Sequence, residues 1–202
     1  TVMMTTGEKK GAFRHLEISG EPGHGSRPYR SDNALVKAAK IVTRMTEYEI
    51  APKLDDMFRE RVRALGLGAE MEDKLLDPDQ VDAALASLPR GTASNLHSCC
   101  QMSFSPNMVN SGEKANTVPD RADLYVDIRV LPSETQDDAD RHLRAIIGED
   151  LLPSVKINRL FDSPDGPSMS STDTPLWSAL TDSVQMAYPT ARVVPSMVTG
   201  GT

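Results

Sequence analysis

Hydrophobic and polar residues alternate along several short stretches of this chain, a pattern typical of half-buried β-strands. The clearest stretch spans residues 124–130, where Leu, Val, Ile and Val alternate with Tyr, Asp and Arg. Less regular stretches predict further strands over 12–19, 99–110 and 155–161. We therefore expect four strands in this part of the chain, each of which buries one face and leaves polar side chains on the other.

Between these strands, apolar residues recur at the three-and-four spacing of amphipathic helices. The first such helix is predicted over 33–48, with Asp32 as its N-cap. Its inward stripe is expected to be Leu35, Ala38, Ala39, Val42 and Met45. Two more helices are expected in an insertion over about 51–98, and another follows a capping box at Ser133–Gln136. A last helix should begin after the cap Thr174, with its apolar side facing inward.

The order of these elements over residues 9–163 is β-α-αα-β-β-α-β, which is split βαβ connectivity. It predicts an α+β fold, a ferredoxin-like four-stranded antiparallel sheet with helices on one face. Residues 1–8 and 164–202 lie outside this unit. The second range carries a helix and a short strand over 191–194, and the first carries the apolar Val2, Met3 and Met4. Such isolated elements cannot bury themselves. They are expected to need a partner sheet that this sequence does not contain.

Composition and charge argue against two classes of partner. The chain has 202 residues, of which 25% are charged, and a formal net charge of −7. An acidic chain without a basic patch is a poor fit to nucleic acid or to an anionic membrane surface. No apolar run approaches the roughly 20 residues of a membrane span. Because the first residue is Thr1 rather than Met, we expect the chain to begin inside a longer gene product.

The two cysteines of the chain, Cys99 and Cys100, are adjacent. A disulfide between neighbouring residues is strained, so we predict a reduced pair and a cytoplasmic location. His97 lies close by, but the sequence offers no second group of ligands that would complete a metal site with it.

One histidine stands in a turn that is rich in glycine and proline, Gly20–Pro28. Gly23 and Gly25 flank His24, and we expect them to adopt backbone conformations closed to other residues, so that the imidazole projects from the chain. On its own, the segment fits either an ordinary glycine-rich surface turn or a turn that positions an imidazole.

Several segments of the chain together resemble one family of hydrolases. They are Gly23–Pro28 followed by Asn33 and Ala34, Ala115–Pro119 leading into Tyr125–Arg129, the terminal Thr199–Thr202, and Gly7–Gly11 before the first strand of the unit. Their order and spacing are similar to those of the dinuclear-zinc family that includes aminoacylase, glutamate carboxypeptidase, acetylornithine deacetylase and succinyl-diaminopimelate desuccinylase.

In that family, a ferredoxin-like lid that also forms the dimer interrupts an α/β catalytic domain. The resemblance implies that residues 9–163 are the lid and dimerisation domain, with its helical insertion. It also implies that residues 1–8 and 164–202 are partial segments of the α/β catalytic domain. The full-length enzyme would then be a homodimer that acts on a peptide or an N-acyl-amino acid.

The resemblance also implies two zinc ions in the full-length enzyme and no metal on this chain. The family's metal ligands and its general-base Glu would lie before residue 1, and a last His ligand after residue 202. This sequence has four histidines, no His-x-Asp pair and no Asp-Glu-Glu run. We therefore expect the full-length protein to hydrolyse an amide bond next to a free carboxylate, and this chain alone to be inactive.

Two residues are candidates for stabilising the oxyanion of such a reaction. The resemblance implies that His24 donates a hydrogen bond to the substrate oxyanion in the active site of the partner subunit. It implies a similar role for Asn116 as a substrate or oxyanion donor. The alternative for Asn116 is a loop Asn that tolerates a left-handed conformation.

Three residues are candidates for binding the rest of the substrate. Arg129 would pair with the substrate carboxylate in a bidentate manner, or it forms a salt bridge with Asp127 or another acidic residue. Gly200 and Gly201 would let the backbone approach the substrate closely, or they form a plain turn.

A second hypothesis is a stand-alone ferredoxin-like module that only dimerises or binds a small ligand. This hypothesis explains the sheet and the acidic charge. It does not explain the isolated elements at both ends of the chain or the turn around His24.

Overall fold

A computed structural model describes residues 1–160 and 166–200 of the chain. Within these ranges the strands are β1 (Val2–Glu8), β2 (Lys10–Gly11), β3 (Arg14–Ser19), β4 (Gly23–His24), β5 (Ser103–Ser111), β6 (Thr117–Val118), β7 (Arg121–Val130), β8 (Val155–Arg159), β9 (Ser168–Met169) and β10 (Val193–Val198). The α-helices are α1 (Ala34–Glu47), α2 (Asp56–Leu65), α3 (Ala69–Leu75), α4 (Val81–Ala86), α5 (Arg90–Cys100), α6 (Gln136–Ile147) and α7 (Pro175–Ala187).

The main sheet is built around β7. One edge of β7 pairs with β5, and the other edge pairs with β2 and then with β3. β8 pairs with the far edge of β3, so the order is β5-β7-β3-β8 and neighbouring strands are antiparallel. The α+β class and the antiparallel sheet with helices predicted from the sequence are confirmed.

Alternating side chains of β7 form the centre of the first hydrophobic core. Leu124, Val126 and Ile128 are buried, and they point toward α1 and α6. β3 adds Leu16 and Ile18 to the same layer. The helices α1 and α6 also pack against each other, so both cover the same face of the sheet. The opposite face carries the polar residues of the alternation.

The start of α1 differs from the prediction. Asn33 rather than Asp32 is the N-cap, because its side chain accepts hydrogen bonds from the amides of Leu35 and Val36 at 2.9 and 3.3 Å. Asp32 instead forms an ion pair of 2.6 Å with Lys37.

The buried face of α1 is also rotated relative to the prediction. Leu35 and Ala39 are exposed. The buried residues are Ala34, Ala38, Ile41 and Met45. Small residues at the first two of these positions let the helix lie close to the sheet, which the apolar periodicity alone does not specify.

The capping box of α6 lies two residues later than predicted. Thr135 is the N-cap, and it exchanges hydrogen bonds with Asp138 instead of Ser133 with Gln136. These hydrogen bonds from Thr135 lower the pKa of Asp138 to about 2.

The insertion contains four helices, α2–α5, rather than the two predicted. α3 is rich in charge, and α5 carries polar residues through most of its length, so neither shows a clear apolar stripe. Because α5 runs to Cys100, the next strand begins at Ser103 and not at residue 99. The helices enclose a second core around Phe58 and Leu96, and this core also includes Met197 of β10. The insertion therefore packs against β10 as well as within itself.

The two ends of the chain meet. β1 pairs in parallel with β10, and β9 pairs with the other edge of β1. The sequence had predicted isolated ends, so their pairing with each other corrects that expectation, and β10 lies later in the chain than predicted. α7 begins after the predicted cap Thr174 but has no buried residue, and Leu176 is 68% exposed. The predicted inward face of α7 is therefore uncovered in the described structure.

The division into residues 1–8, 9–163 and 164–202 stays a prediction. Its second boundary lies outside the described residues, as does Phe161 at the end of the predicted fourth strand.

Replacing Leu124 by Ala should lower the free energy of unfolding by about 2–5 kcal/mol, because the cavity would open in the centre of the first core. Met186→Ala is the control, since Met186 of α7 is 78% exposed and its loss should cost less than about 0.5 kcal/mol. Urea unfolding of both variants checks this, and equal effects would contradict the assignment of the core.

Candidate functional site

The turn around His24 is held against the segment that carries Asn116. β4 pairs with β6, so that His24 lies opposite Thr117. The backbone N–H of Gly25 donates to the carbonyl of Asn116 at 2.7 Å. The sequence placed these residues more than ninety positions apart, and the structure brings them together. We call His24, its turn and the Asn116 loop the turn site.

The glycines of the turn act differently from the prediction. Neither Gly23 nor Gly25 has a φ in the left-handed region. What Gly25 provides is space, because a Cβ there would lie 3.2 Å from the backbone of Asn116. Gly20 allows an even closer approach to the Asp32 carbonyl. These glycines therefore permit close backbone contact rather than an unusual backbone conformation.

The imidazole of His24 is exposed, as are all the residues from 21 to 31. Its Nδ1 accepts a hydrogen bond from the backbone N–H of Ser26 at 3.2 Å, and the Ser26 Oγ lies 2.8 Å from the same atom. The ring therefore projects from the domain with one nitrogen engaged by its own turn.

Arg129 lies at the opposite end of β7 from the turn site. Its guanidinium donates to both carboxylate oxygens of Asp127, at 2.8 and 3.2 Å, and lies 5.1 Å from the centre of the Phe13 ring. The salt bridge left open as an alternative is thus present. At a strand rise of about 3.4 Å per residue, Arg129 lies about 27 Å from Arg121 at the other end of β7.

Arg129 lies close to the point where β1 enters the main sheet. Gly11 of β2 pairs with Arg129, and the backbone N–H of Lys9 donates to the carbonyl of Val198 at 2.9 Å. Gly200 follows β10 and is exposed, with open space where a Cβ would stand. Gly201 lies outside the described residues. We call Lys9, Arg129 and Gly200 the junction.

Sequence reasoning missed Lys9. Its side chain is fully buried, and its Nζ donates to the carbonyl of Gln101 at 2.7 Å, just after the end of α5. Lys9 continues the alternation of β1 on the side of buried Gly7, which is the signal that could have identified it. Burial lowers the pKa of Lys9 from 10.5 to about 8, although nearby Glu134 favours the charged form.

The family model described as peptidase dimerisation domain matches residues 6–155. The chain belongs to this family. The match covers the main sheet up to the start of β8, the turn site, α1–α6 and Arg129, so the turn site and most of the junction lie within the peptidase dimerisation domain.

Individual proteins similar to this peptidase dimerisation domain and its flanks include a probable carboxypeptidase S-like 2 from Dictyostelium discoideum. It is 24% identical over 200 residues, which are 96% of this chain and 37% of that protein. Among solved structures, the M20 family metallo-carboxypeptidase Sso-CP2 from Sulfolobus solfataricus matches with a TM-score of 0.64 and 16% identity, over 98% of this chain and 46% of its own.

The di-peptidase Dug1p from Saccharomyces cerevisiae also has a similar fold, with a TM-score of 0.60 and 13% identity, over 100% of this chain and 45% of its own. The chain thus spans less than half the length of each of these three proteins.

A zinc site in a protein needs a group of His, Cys, Asp or Glu ligands. Within 1–160 and 166–200, no group of three or more His, Cys, Asp or Glu side chains is placed to hold a metal ion. Two histidines are instead hydrogen-bonded to other side chains. The Nε2 of His15 lies 2.7 Å from Oδ1 of Asp123, and the Nδ1 of His142 lies 3.0 Å from the hydroxyl of Tyr48.

No helix of the described part of the chain is long and apolar enough to cross a membrane.

Cys99 and Cys100 are free and buried. Burial raises the pKa of Cys100 to about 12 and also raises that of Cys99, so both thiols are poor nucleophiles at neutral pH.

The stability contributed by the junction should depend on pH. Between about 8 and 10.5, the folded protein has released the Lys9 proton that the unfolded chain still holds, so the free energy of unfolding should rise with pH in this window. Urea unfolding of the protein and of Lys9→Met from pH 7.5 to 10 isolates this contribution, because the variant lacks the titrating group. The free energy of unfolding of the wild type minus that of Lys9→Met should increase from pH 7.5 to 10. A value that stays constant over this range would contradict the lowered pKa of Lys9.

Proposed function

We propose that this chain is the lid and dimerisation region of a zinc-dependent peptidase or N-acyl-amino-acid amidohydrolase. The full-length homodimer cleaves an amide bond next to a free carboxylate. His24 and Asn116 of each chain serve the active site of the partner, whereas Arg129, Gly200 and Gly201 serve the site of their own chain. The zinc ligands belong to other parts of the full-length protein, so this chain alone is inactive.

One observation carries the proposal: the candidate residues occupy the two ends of β7. His24 and Asn116 lie beyond its Arg121 end, and Arg129 lies near its other end, about 27 Å away at the usual strand rise. A single amide bond and its neighbouring carboxylate span only a few ångströms. The two groups of residues therefore act together only if they come from different chains.

The exposed edge of the main sheet suggests how two chains associate. β5 is paired on one edge only within the described residues, and an unpaired edge is a template for another strand. Exposed apolar side chains lie along this edge and at the start of α1: Met108, Val109, Leu35 and Val36. The opposite edge strand, β8, instead exposes Lys156 and Arg159, charges that discourage edge pairing.

Antiparallel pairing of β5 with its copy around a two-fold axis would bring the two groups of residues together. Ser111 of β5 lies at the turn-site end of the sheet, and Ser103 lies opposite Arg129. In an antiparallel pair, the Ser111 end of one copy faces the Ser103 end of the other. The His24 of each chain would then approach the junction of its partner.

The chemistry of these side chains suits the proposed reaction. The exposed imidazole and the Asn116 amide are donors for the oxyanion that forms on the substrate carbonyl. Asp127 accepts from two of the five N–H groups of Arg129, which leaves three for the substrate carboxylate. The open space at Gly200 allows the backbone to lie against the substrate.

In the full-length enzyme, His24→Ala should lower kcat about 10²–10³-fold, because one oxyanion donor is lost. Zinc content should stay at the wild-type level, since His24 is not among the proposed ligands. Steady-state kinetics and metal analysis check both, with Ser31→Ala as the control, an exposed serine three residues beyond the turn. Unchanged turnover in His24→Ala would instead favour a dimerising module without a catalytic role.

Mixing two inactive variants tests which chain supplies each residue. Co-expressed His24→Ala and Arg129→Ala subunits should recover about one quarter of wild-type activity, because about half of the dimers are mixed and each mixed dimer has one intact site. Each variant alone stays inactive.

No recovery in dimers that are shown to be mixed would mean that both residues serve the same chain. As a control, subunits carrying His24→Ala should be mixed with subunits carrying His24→Ala and Arg129→Ala together. These dimers should stay inactive, since none of their sites receives a His24.

A further inference from the structure

We propose that Ser26 is a positioning residue that holds the proton of neutral His24 on Nε2. The inference rests on the proposed function of His24, since it concerns the hydrogen bond that the imidazole is ready to donate.

Two donors of Ser26 favour one tautomer, its backbone N–H and its hydroxyl, and the hydroxyl makes the shorter contact. An amide N–H can only donate, and this one points at Nδ1 of His24 from 3.2 Å. Nδ1 therefore offers a lone pair to this donor, and in a neutral imidazole the proton then resides on Nε2. The Ser26 hydroxyl, 2.8 Å from the same nitrogen, donates to it as well.

The turn itself brings these two donors to the ring. The N–H of Arg27 donates to the carbonyl of His24 at 2.9 Å, which folds the chain back over the imidazole. Gly25, between His24 and Ser26, is fixed by its hydrogen bond to Asn116. The pairing that joins the two parts of the turn site thus also places Ser26 under Nδ1.

The tautomer decides whether the free nitrogen of the ring attracts or repels an oxyanion. With the proton on Nε2, that atom is a donor that projects from the domain. With the proton on Nδ1, Nε2 would present a lone pair to the developing negative charge, and the stabilisation expected from an oxyanion donor would be lost. A residue that holds Nδ1 as an acceptor therefore prepares His24 for its role before substrate binds.

The ¹⁵N spectrum of the full-length enzyme tests the inference directly. Histidine-selective labelling, with the His24 signals assigned by their loss in His24→Gln, should show a protonated Nε2 and an unprotonated Nδ1 near neutral pH. In Ser26→Ala, which keeps the amide donor but loses the hydroxyl, the signals should shift toward a mixture of tautomers. Ser26→Thr should restore them.

Kinetics provide the second measurement. Ser26→Ala should lower kcat about 10-fold, which is the low end of the roughly 10–100-fold effect of losing a group that orients a metal-bound histidine. KM should change by less than about twofold, because Ser26 is not proposed to touch substrate. Ser26→Thr should recover most of the lost kcat.

A protonated Nδ1 in the wild type, or unchanged His24 signals and kcat in Ser26→Ala, would overturn the inference. Either result leaves the proposed function intact if His24→Ala still loses turnover. Conversely, the expected tautomer together with full turnover in His24→Ala would disprove the role of His24, and Ser26 would still hold the proton on Nε2.

Discussion

The structure depends on the central strand β7, which is hydrogen-bonded along both edges and buried on one face. A strand held in this way cannot shift by one residue without exposing its apolar side chains. Its two ends therefore stand at defined and distant places. The Arg121 end leads to the segment that holds the turn of His24, and the far end carries Arg129 and meets the strand that enters from β1.

A second constraint operates where three parts of the chain meet at Lys9. Its backbone bonds β10, its side chain bonds the residue that ends α5, and the next two residues join the main sheet. Removing an ammonium group from water is costly, and the carbonyl of Gln101 offsets part of that cost. Such an arrangement favours one geometry of the three parts over others, because any alternative would leave the buried charge without its acceptor.

Local pattern predicted those elements whose side chains face one continuous apolar layer. The 124–130 strand and the helix α6 fall in this class, since period-two or period-3.6 spacing is enough to define their buried face. Helix α5 was not predicted because its own sequence has no clear apolar stripe, and its position depends on packing against α2 and α4. In α1, Asn33 is the cap and Ala34 is buried because of how closely this helix lies against the sheet. That distance is set by tertiary packing and not by the local sequence.

By itself, the sequence determined which residues are candidates for the proposed chemistry: a glycine-flanked His24, Asn116 before a strand, and Arg129 on the polar face of that strand. Motif spacing along the chain is sufficient for this. Only the tertiary structure decided that His24 and Asn116 belong together while Arg129 stands apart with Gly200. The reason is physical, since the pairing of strands far apart in sequence depends on the burial of a shared core, and no local signal encodes which ends will meet.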